Sequence, residues 1–151
     1  MMDIDYIVIK TLMSSEKGLK IGKIKKKLDN DPFLTYVVQK PDIPHSTLGS
    51  CIKRLKKQGY VDYEPYHEAF LTKRGFELAK ELNRHSRLLE LLLFNELGLS
   101  SKISHQESEK LSLLLSCEII NKICEKYGHP KTCPCGEQIL NSQECACSEQ
   151  H

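Results

Sequence analysis

The stretch from residue 45 to residue 72 constrains this chain most. Leu48, Ile52 and Leu55 recur at helical spacing, Ser46 stands where an N-cap is wanted, and Gly59 follows Lys56-Lys57-Gln58 as a helix stop. Tyr60-Val61-Asp62-Tyr63-Glu64 and Glu68-Ala69-Phe70-Leu71 then read as two short strands around a Pro65-Tyr66-His67 turn. Upstream, Ile4, Ile7, Val8 and Leu12 give residues 3–13 one apolar helical face, and Leu19, Ile21, Ile24 and Leu28 repeat it over 19–28. Three helices and a hairpin, in that order, are the pattern of a winged helix–turn–helix. The expected fold is mainly α, with a winged helix–turn–helix domain over residues 1–72 and its two-stranded wing.

A second, helical domain is expected over 73–128. Thr72 opens a long helix with Phe76, Ala79, Leu82, Leu89 and Leu93 on one face, and Gly98 ends it. A last helix over roughly 101–127 carries Ile103, Leu111, Leu114, Leu115, Ile119 and Ile123, and Gly128 ends it. Residues 129–151 have no period and form a cysteine-rich tail.

The net charge of +2 hides an asymmetry. Residues 10–60 hold twelve Lys/Arg against four Asp/Glu, whereas residues 61–151 hold ten against fourteen. A basic module joined to an acidic remainder points to a polyanion partner for the first part, double-stranded DNA above all. On the third helix, His45, Ser46, Thr47, Ser50, Lys53 and Arg54 are left outward, where short polar groups and Arg reach base edges in the major groove. Lys56 and Lys57 lie a turn later and suit phosphates. Tyr66 and His67, at the wing tip, suit the backbone or minor groove. The alternative is a winged-helix adaptor whose exposed face binds protein.

Seven cysteines without a secretion signal argue against a disulfide framework and for reduced thiols or a metal in the cytoplasm. No apolar run is long enough for a membrane span. Cys133, Cys135, Cys145 and Cys147 crowd the last nineteen residues as two Cys-x-Cys pairs. Four thiols converging across a short loop would make a tetrahedral site for zinc or hold an iron–sulfur cluster. Cys117 and Cys124, seven apart, read as packed core thiols, and His129 and His151 as spare ligands. No Ser/His/Asp triad, P-loop or dinucleotide motif occurs, so an enzyme is not expected.

Specific segments carry a family likeness. Thr47-Leu48-Gly49-Ser50-Cys51-Ile52-Lys53-Arg54-Leu55 runs on through Gly59-Tyr60-Val61 to Tyr63-Glu64-Pro65-Tyr66 and Leu71-Thr72-Lys73-Arg74-Gly75. Arg87-Leu88-Leu89-Glu90, Leu97-Gly98-Leu99, Gly128-His129-Pro130 and Cys133-Pro134-Cys135-Gly136 follow. Over roughly residues 3–140 the chain resembles the diphtheria-toxin-repressor family of metal-dependent repressors, including its manganese-sensing branch. The resemblance implies a homodimer on palindromic operators, with the dimer built by the helices over 72–127.

It also implies where regulatory metal would sit. The family's principal site falls on Asp5, Glu109, Ser112 and Leu113 here, so two oxygen donors remain and the adjacent Glu–His pair is missing. A second family site falls on Ser86, Glu90 and His105, with His85 one residue out of register. The principal site is therefore not expected to work, and a residual site would rest on Glu90 and His105. The stretch 29–43 is longer than the family's usual turn before the third helix. The function expected is DNA-binding regulation, as a repressor, under control of a metal or cluster held by the C-terminal cysteines. The alternative is a metal- or redox-sensing thiol protein that kept the fold and lost DNA binding.

Overall fold

The computed structural model of the chain describes residues 3–30, 43–112 and 114–147. Most of the 29–43 stretch, together with Leu113 and His151, lies outside the described residues. The elements are α1 (Asp3–Met13), α2 (Ile21–Asp29), α3 (His45–Lys57), β1 (Val61–Asp62), β2 (Phe70–Leu71), α4 (Lys73–Leu97), α5 (Ser101–Leu111) and α6 (Cys117–Lys126). Packing divides the chain into two compact units, residues 1–79 and 80–151.

The first unit is a winged helix–turn–helix. Val8, Leu12, Ile24, Leu28, Leu48, Ile52 and Leu55 are buried, so the apolar faces of α1, α2 and α3 meet in one core. β1 and β2 pair antiparallel, with Val61 opposite Leu71 and Asp62 opposite Phe70. Leu19 extends the ladder, exchanging backbone hydrogen bonds with Ala69 at 2.9 and 2.8 Å. The strands are shorter than the sequence pattern expects, because the chain turns away from the ladder after Asp62 and rejoins it at Ala69. Gly59 follows the end of α3 with φ +85°, a left-handed conformation that glycine adopts without strain. Gly75 has a steric role, since a Cβ there would lie 2.0 Å from the Tyr60 carbonyl oxygen. Thr72 caps α4 as expected, its Oγ1 accepting from Gly75 N at 3.1 Å.

The start of α3 differs from expectation. Pro44, not Ser46, holds the N-cap position, with extended backbone and no side-chain cap. Its ring fixes φ near −60°, and Ser46 falls inside the first turn with its side chain exposed.

In the second unit, Leu88, Leu89, Ile120, Ile123 and Ile139 form a core with Cys124, Cys133, Cys145 and Cys147. The cysteine-rich segment is thus part of this core. Its loop is pinned by Cys133 N to Glu137 O and Ile139 N to Lys131 O, both 2.9 Å. Arg87 also grips the Glu137 carboxylate through Nη2 at 2.7 Å. The helix expected over 101–127 is two helices, a correction with a local cause. Ser112 turns its hydroxyl back to Glu109 O at 2.8 Å, and Ser116 adopts extended backbone and caps α6 through Ile119 N. Serine hydroxyls that compete for backbone groups end one helix and start the next.

Candidate metal centres and nucleic-acid interface

α3 buries Leu48, Cys51, Ile52 and Leu55 and leaves His45, Ser46, Thr47, Ser50, Lys53, Lys56 and Lys57 exposed. Tyr66 and His67 are exposed at the wing tip, where Tyr66 has φ +69° and His67 N bonds Glu64 O at 3.0 Å. A groove of about 700 Å³ runs between these two elements, lined among others by Lys20, His45, Lys53, Tyr63, Tyr66 and His67. Cationic and aromatic side chains along one groove suit a phosphate backbone.

Two of the expected contact residues are otherwise engaged. Lys56 Nζ donates to the Tyr63 carbonyl at 2.6 Å, bracing α3 against the wing. Arg54 turns its guanidinium to Asp5, Nη2 to Oδ1 at 2.7 Å, and Asp5 is only 1% exposed. A buried carboxylate needs a countercharge, and Arg54 supplies it from the neighbouring helix. The Asp5 hydrogen bond in turn raises the Arg54 pKa. Burial, reinforced by Asp5, pushes the nearby Cys51 thiol far up, so Cys51 stays protonated.

The second unit carries three clusters of potential metal ligands. In the first, Glu90 is 1% exposed, its Oε2 lies 3.3 Å from His105 Nδ1, and its Oε1 accepts from Cys135 N at 3.0 Å. Cys135 Sγ stands 3.4 Å from Glu90 Oε2 and 4.0 Å from His105 Nδ1. Burial, and then the hydrogen bond with Cys133, pushes the Cys135 thiol up to about 12. In the second, His85, Cys117 and Cys145 converge, with His85 and Cys145 buried and Cys117 half-buried. In the third, Cys124 Sγ stands 3.6 Å from His129 Nδ1 and Cys147 joins them. Burial, followed by the charge of Cys147, raises Cys124 to about 11, and Arg84 opposes the shift.

The four cysteines expected to share one ion therefore do not converge. Cys133 and Cys135 touch at 3.0 Å, while Cys145 and Cys147 each join a different histidine. The chain bends at 143–145 and forms no strand there, so Cys145 and Cys147 do not share a face and reach separate neighbours. Cys124, read as a core thiol, lies in the core with Cys117 packed against it, and both also stand beside potential ligands, as does the spare ligand His129. Sequence reasoning placed His85 only one residue out of register with a family position, and it did not single out Glu81, whose Oε1 lies 3.2 Å from Cys117 Sγ and 3.9 Å from His85 Nε2. The i, i+4 spacing of Glu81 and His85 on one face of α4 was the available signal.

The principal metal position implied by the family does not suit a transition metal. Asp5 is neutralised by Arg54, Ser112 spends its hydroxyl on a backbone carbonyl, and leucine has no donor at 113. The second position does fit, because Glu90 and His105 are already paired and Cys135 adds a third donor.

Comparison with known proteins agrees with this layout. A family profile described as the iron dependent repressor, metal binding and dimerisation domain matches residues 72–141. An uncharacterised HTH-type transcriptional regulator of Methanocaldococcus jannaschii is 35% identical over 98 residues, covering 64% of this chain and 78% of that protein. The iron-dependent repressor IdeR of Mycobacterium bovis is 24% identical over 108 residues, and the match covers 72% of this chain but only 47% of IdeR. A manganese-dependent transcriptional repressor solved with manganese superposes with a TM-score of 0.74 at 25% identity, covering 93% of this chain and 60% of that one. With its winged helix, its matching second unit and a relative of this similarity, the chain belongs to the metal-dependent transcriptional repressor family, that of the diphtheria toxin repressor.

Proposed function

We propose that this chain is a homodimeric repressor that binds operator DNA through α3 and the wing of each protomer. The exposed polar and cationic face of α3 beside the basic groove carries this reading. His45, Ser46, Thr47, Ser50 and Lys53 face the bases, Lys57 takes a phosphate, and Tyr66 and His67 reach the flanking backbone. Arg54 and Lys56 position α3 instead of reading sequence. Exposed Leu97 and Leu114 in the second unit supply apolar surface for the partner protomer. No helix among the described residues is long and apolar enough to cross a membrane. Seven free thiols suit the reducing cytoplasm.

Glu90, His105 and Cys135 would hold the regulatory divalent ion. Such an ion neutralises the buried Glu90 carboxylate and ties the Cys133–Gly136 turn to α4 and α5. Separate donor sets of mixed sulfur, nitrogen and oxygen favour single borderline-soft ions over an iron–sulfur cluster. Fluorescence titration of a duplex library at low salt, with and without zinc, tests the proposal. The expected result is dimer binding that weakens steeply with salt and tightens with metal. No duplex binding in either condition overturns it. The three thiol-bearing clusters favour one second reading, a metal-sensing protein without DNA activity. Retained metal with no duplex binding would select it.

A further inference from the structure

The second cluster has a fourth potential donor beside its three, the Glu81 carboxylate. Glu81 and His85 lie one turn apart on α4, Cys117 is the first residue of α6, and Cys145 comes from the C-terminal loop. His85 Nε2 stands 3.1 Å from Cys145 Sγ, 3.4 Å from Cys117 Sγ and 3.9 Å from Glu81 Oε1. Cys117 Sγ is 3.2 Å from Glu81 Oε1. Tetrahedral zinc bonds of ordinary length imply sulfur–nitrogen edges of roughly 3.5 Å. His85, Cys117 and Cys145 are already spaced to that scale, and Glu81 reaches two of them, His85 and Cys117.

The surroundings fit as well. His85 Nδ1 faces the Ser112 carbonyl at 3.2 Å, which fixes the proton on Nδ1 and leaves the Nε2 lone pair toward the sulfurs. Arg84 is fully buried and donates Nη1 to Cys145 Sγ at 3.1 Å and Nε to Asn141 Oδ1 at 3.2 Å. A guanidinium does not deprotonate, so it needs an anion beside it. Burial pushes the Cys145 thiol up and Arg84 opposes it, and a bound cation would take the sulfur as the thiolate that provides that anion. Two thiolates and the Glu81 carboxylate around a divalent cation leave one negative charge, which Arg84 cancels. Cys117 at the start of α6 gains further from the positive end of the helix dipole.

We propose that Glu81, His85, Cys117 and Cys145 form a structural zinc site that fastens the C-terminal loop to α4 and α6, independent of the ion at Glu90. Closed four-donor sites rich in thiolate hold zinc for folding, whereas exchangeable sensing sites are more open. This inference does not depend on DNA binding, and its test reads metal only.

The full chain is purified under reducing conditions and dialysed. Zinc is counted, and the protein is then loaded with cadmium-113 for NMR. A Glu90→Gln/His105→Ala double variant removes the Glu90 cluster, and the Cys124–His129–Cys147 cluster is told apart because its resonance does not respond to Cys117→Ser or Cys145→Ser. The double variant is expected to keep a cadmium resonance in the range of two-thiolate sites. Adding Cys117→Ser or Cys145→Ser removes one equivalent of zinc and abolishes that resonance, and Glu81→Gln shifts it. Cys51→Ser, in the other unit, changes neither. Should Cys145→Ser fail to fold, the half-buried Cys117 still decides the matter, with circular dichroism as the check. Unchanged zinc content and an unchanged resonance in Cys117→Ser overturn the site, as does the lack of any two-thiolate resonance in the double variant.

Discussion

Lys53 and Arg54 are adjacent in α3 and do different work. Lys53 is exposed in the groove, while Arg54 is committed to Asp5. Lys53→Ala is expected to change stability by less than about 0.5 kcal/mol while weakening duplex binding. Arg54→Ala strands a buried carboxylate and is expected to cost about 1–3 kcal/mol, less than a fully buried pair because the guanidinium is 38% exposed. Urea denaturation beside a duplex titration separates the two effects. His85 offers a pH test. Burial lowers its pKa below the ordinary 6.5, outweighing its bond to Ser112 and the charge of Glu81, while Arg84 and the thiols of Cys117 and Cys145 also face it. The unfolded chain takes a proton near 6.5 and the folded chain resists it. Stability is therefore fully present above that pH and falls as pH drops through the lowered folded value. Urea midpoints of metal-free protein from neutral to mildly acidic pH should fall, and the slope should lessen in His85→Gln.

Between residues and the whole lie the joints that hold elements in place. Tyr60 and Gly75 bring the end of α3 against the start of α4, closing the wing. Thr72 strengthens that joint from both sides, donating to Gly59 O at 2.6 Å and accepting from Gly75 N. Arg74 adds a hydrogen bond to Gln58 O at 2.8 Å and stacks over the Tyr60 ring at 4.4 Å. Gly75→Ala forces a methyl group into the Tyr60 carbonyl, so backbone must shift. The expected loss is about 1–3 kcal/mol or more, read as a lower thermal midpoint, while Gly49→Ala, with open space around its Cβ position, should be tolerated. The α5–α6 break works differently, through serine caps, and it places the Ser112 carbonyl where His85 needs it.

For the whole molecule, the test is assembly. Leu97 and Leu114 are 65% and 79% exposed, a cost for large apolar side chains that a partner protomer would relieve. Leu97→Glu with Leu114→Glu is expected to give a monomer in analytical ultracentrifugation and to lower duplex affinity with it. A dimer that survives both changes would place the interface elsewhere. By itself the sequence determined the winged helix, the long α4 and the glycine stops, because period and glycine stops act between residues a few positions apart, while the start of α3 and the α5–α6 break were misread. The motif run from Thr47 to Gly136 determined the family in the same local way. The tertiary structure decided which side chains meet. His85 and Cys145 are 60 positions apart, and Asp5 and Arg54 are 49 apart. No spacing rule connects such pairs. Of the four thiols that looked like one site from their closeness in sequence, Cys135, Cys145 and Cys147 went to three separate clusters and Cys133 stayed beside Cys135, because packing in the core turned them toward different neighbours.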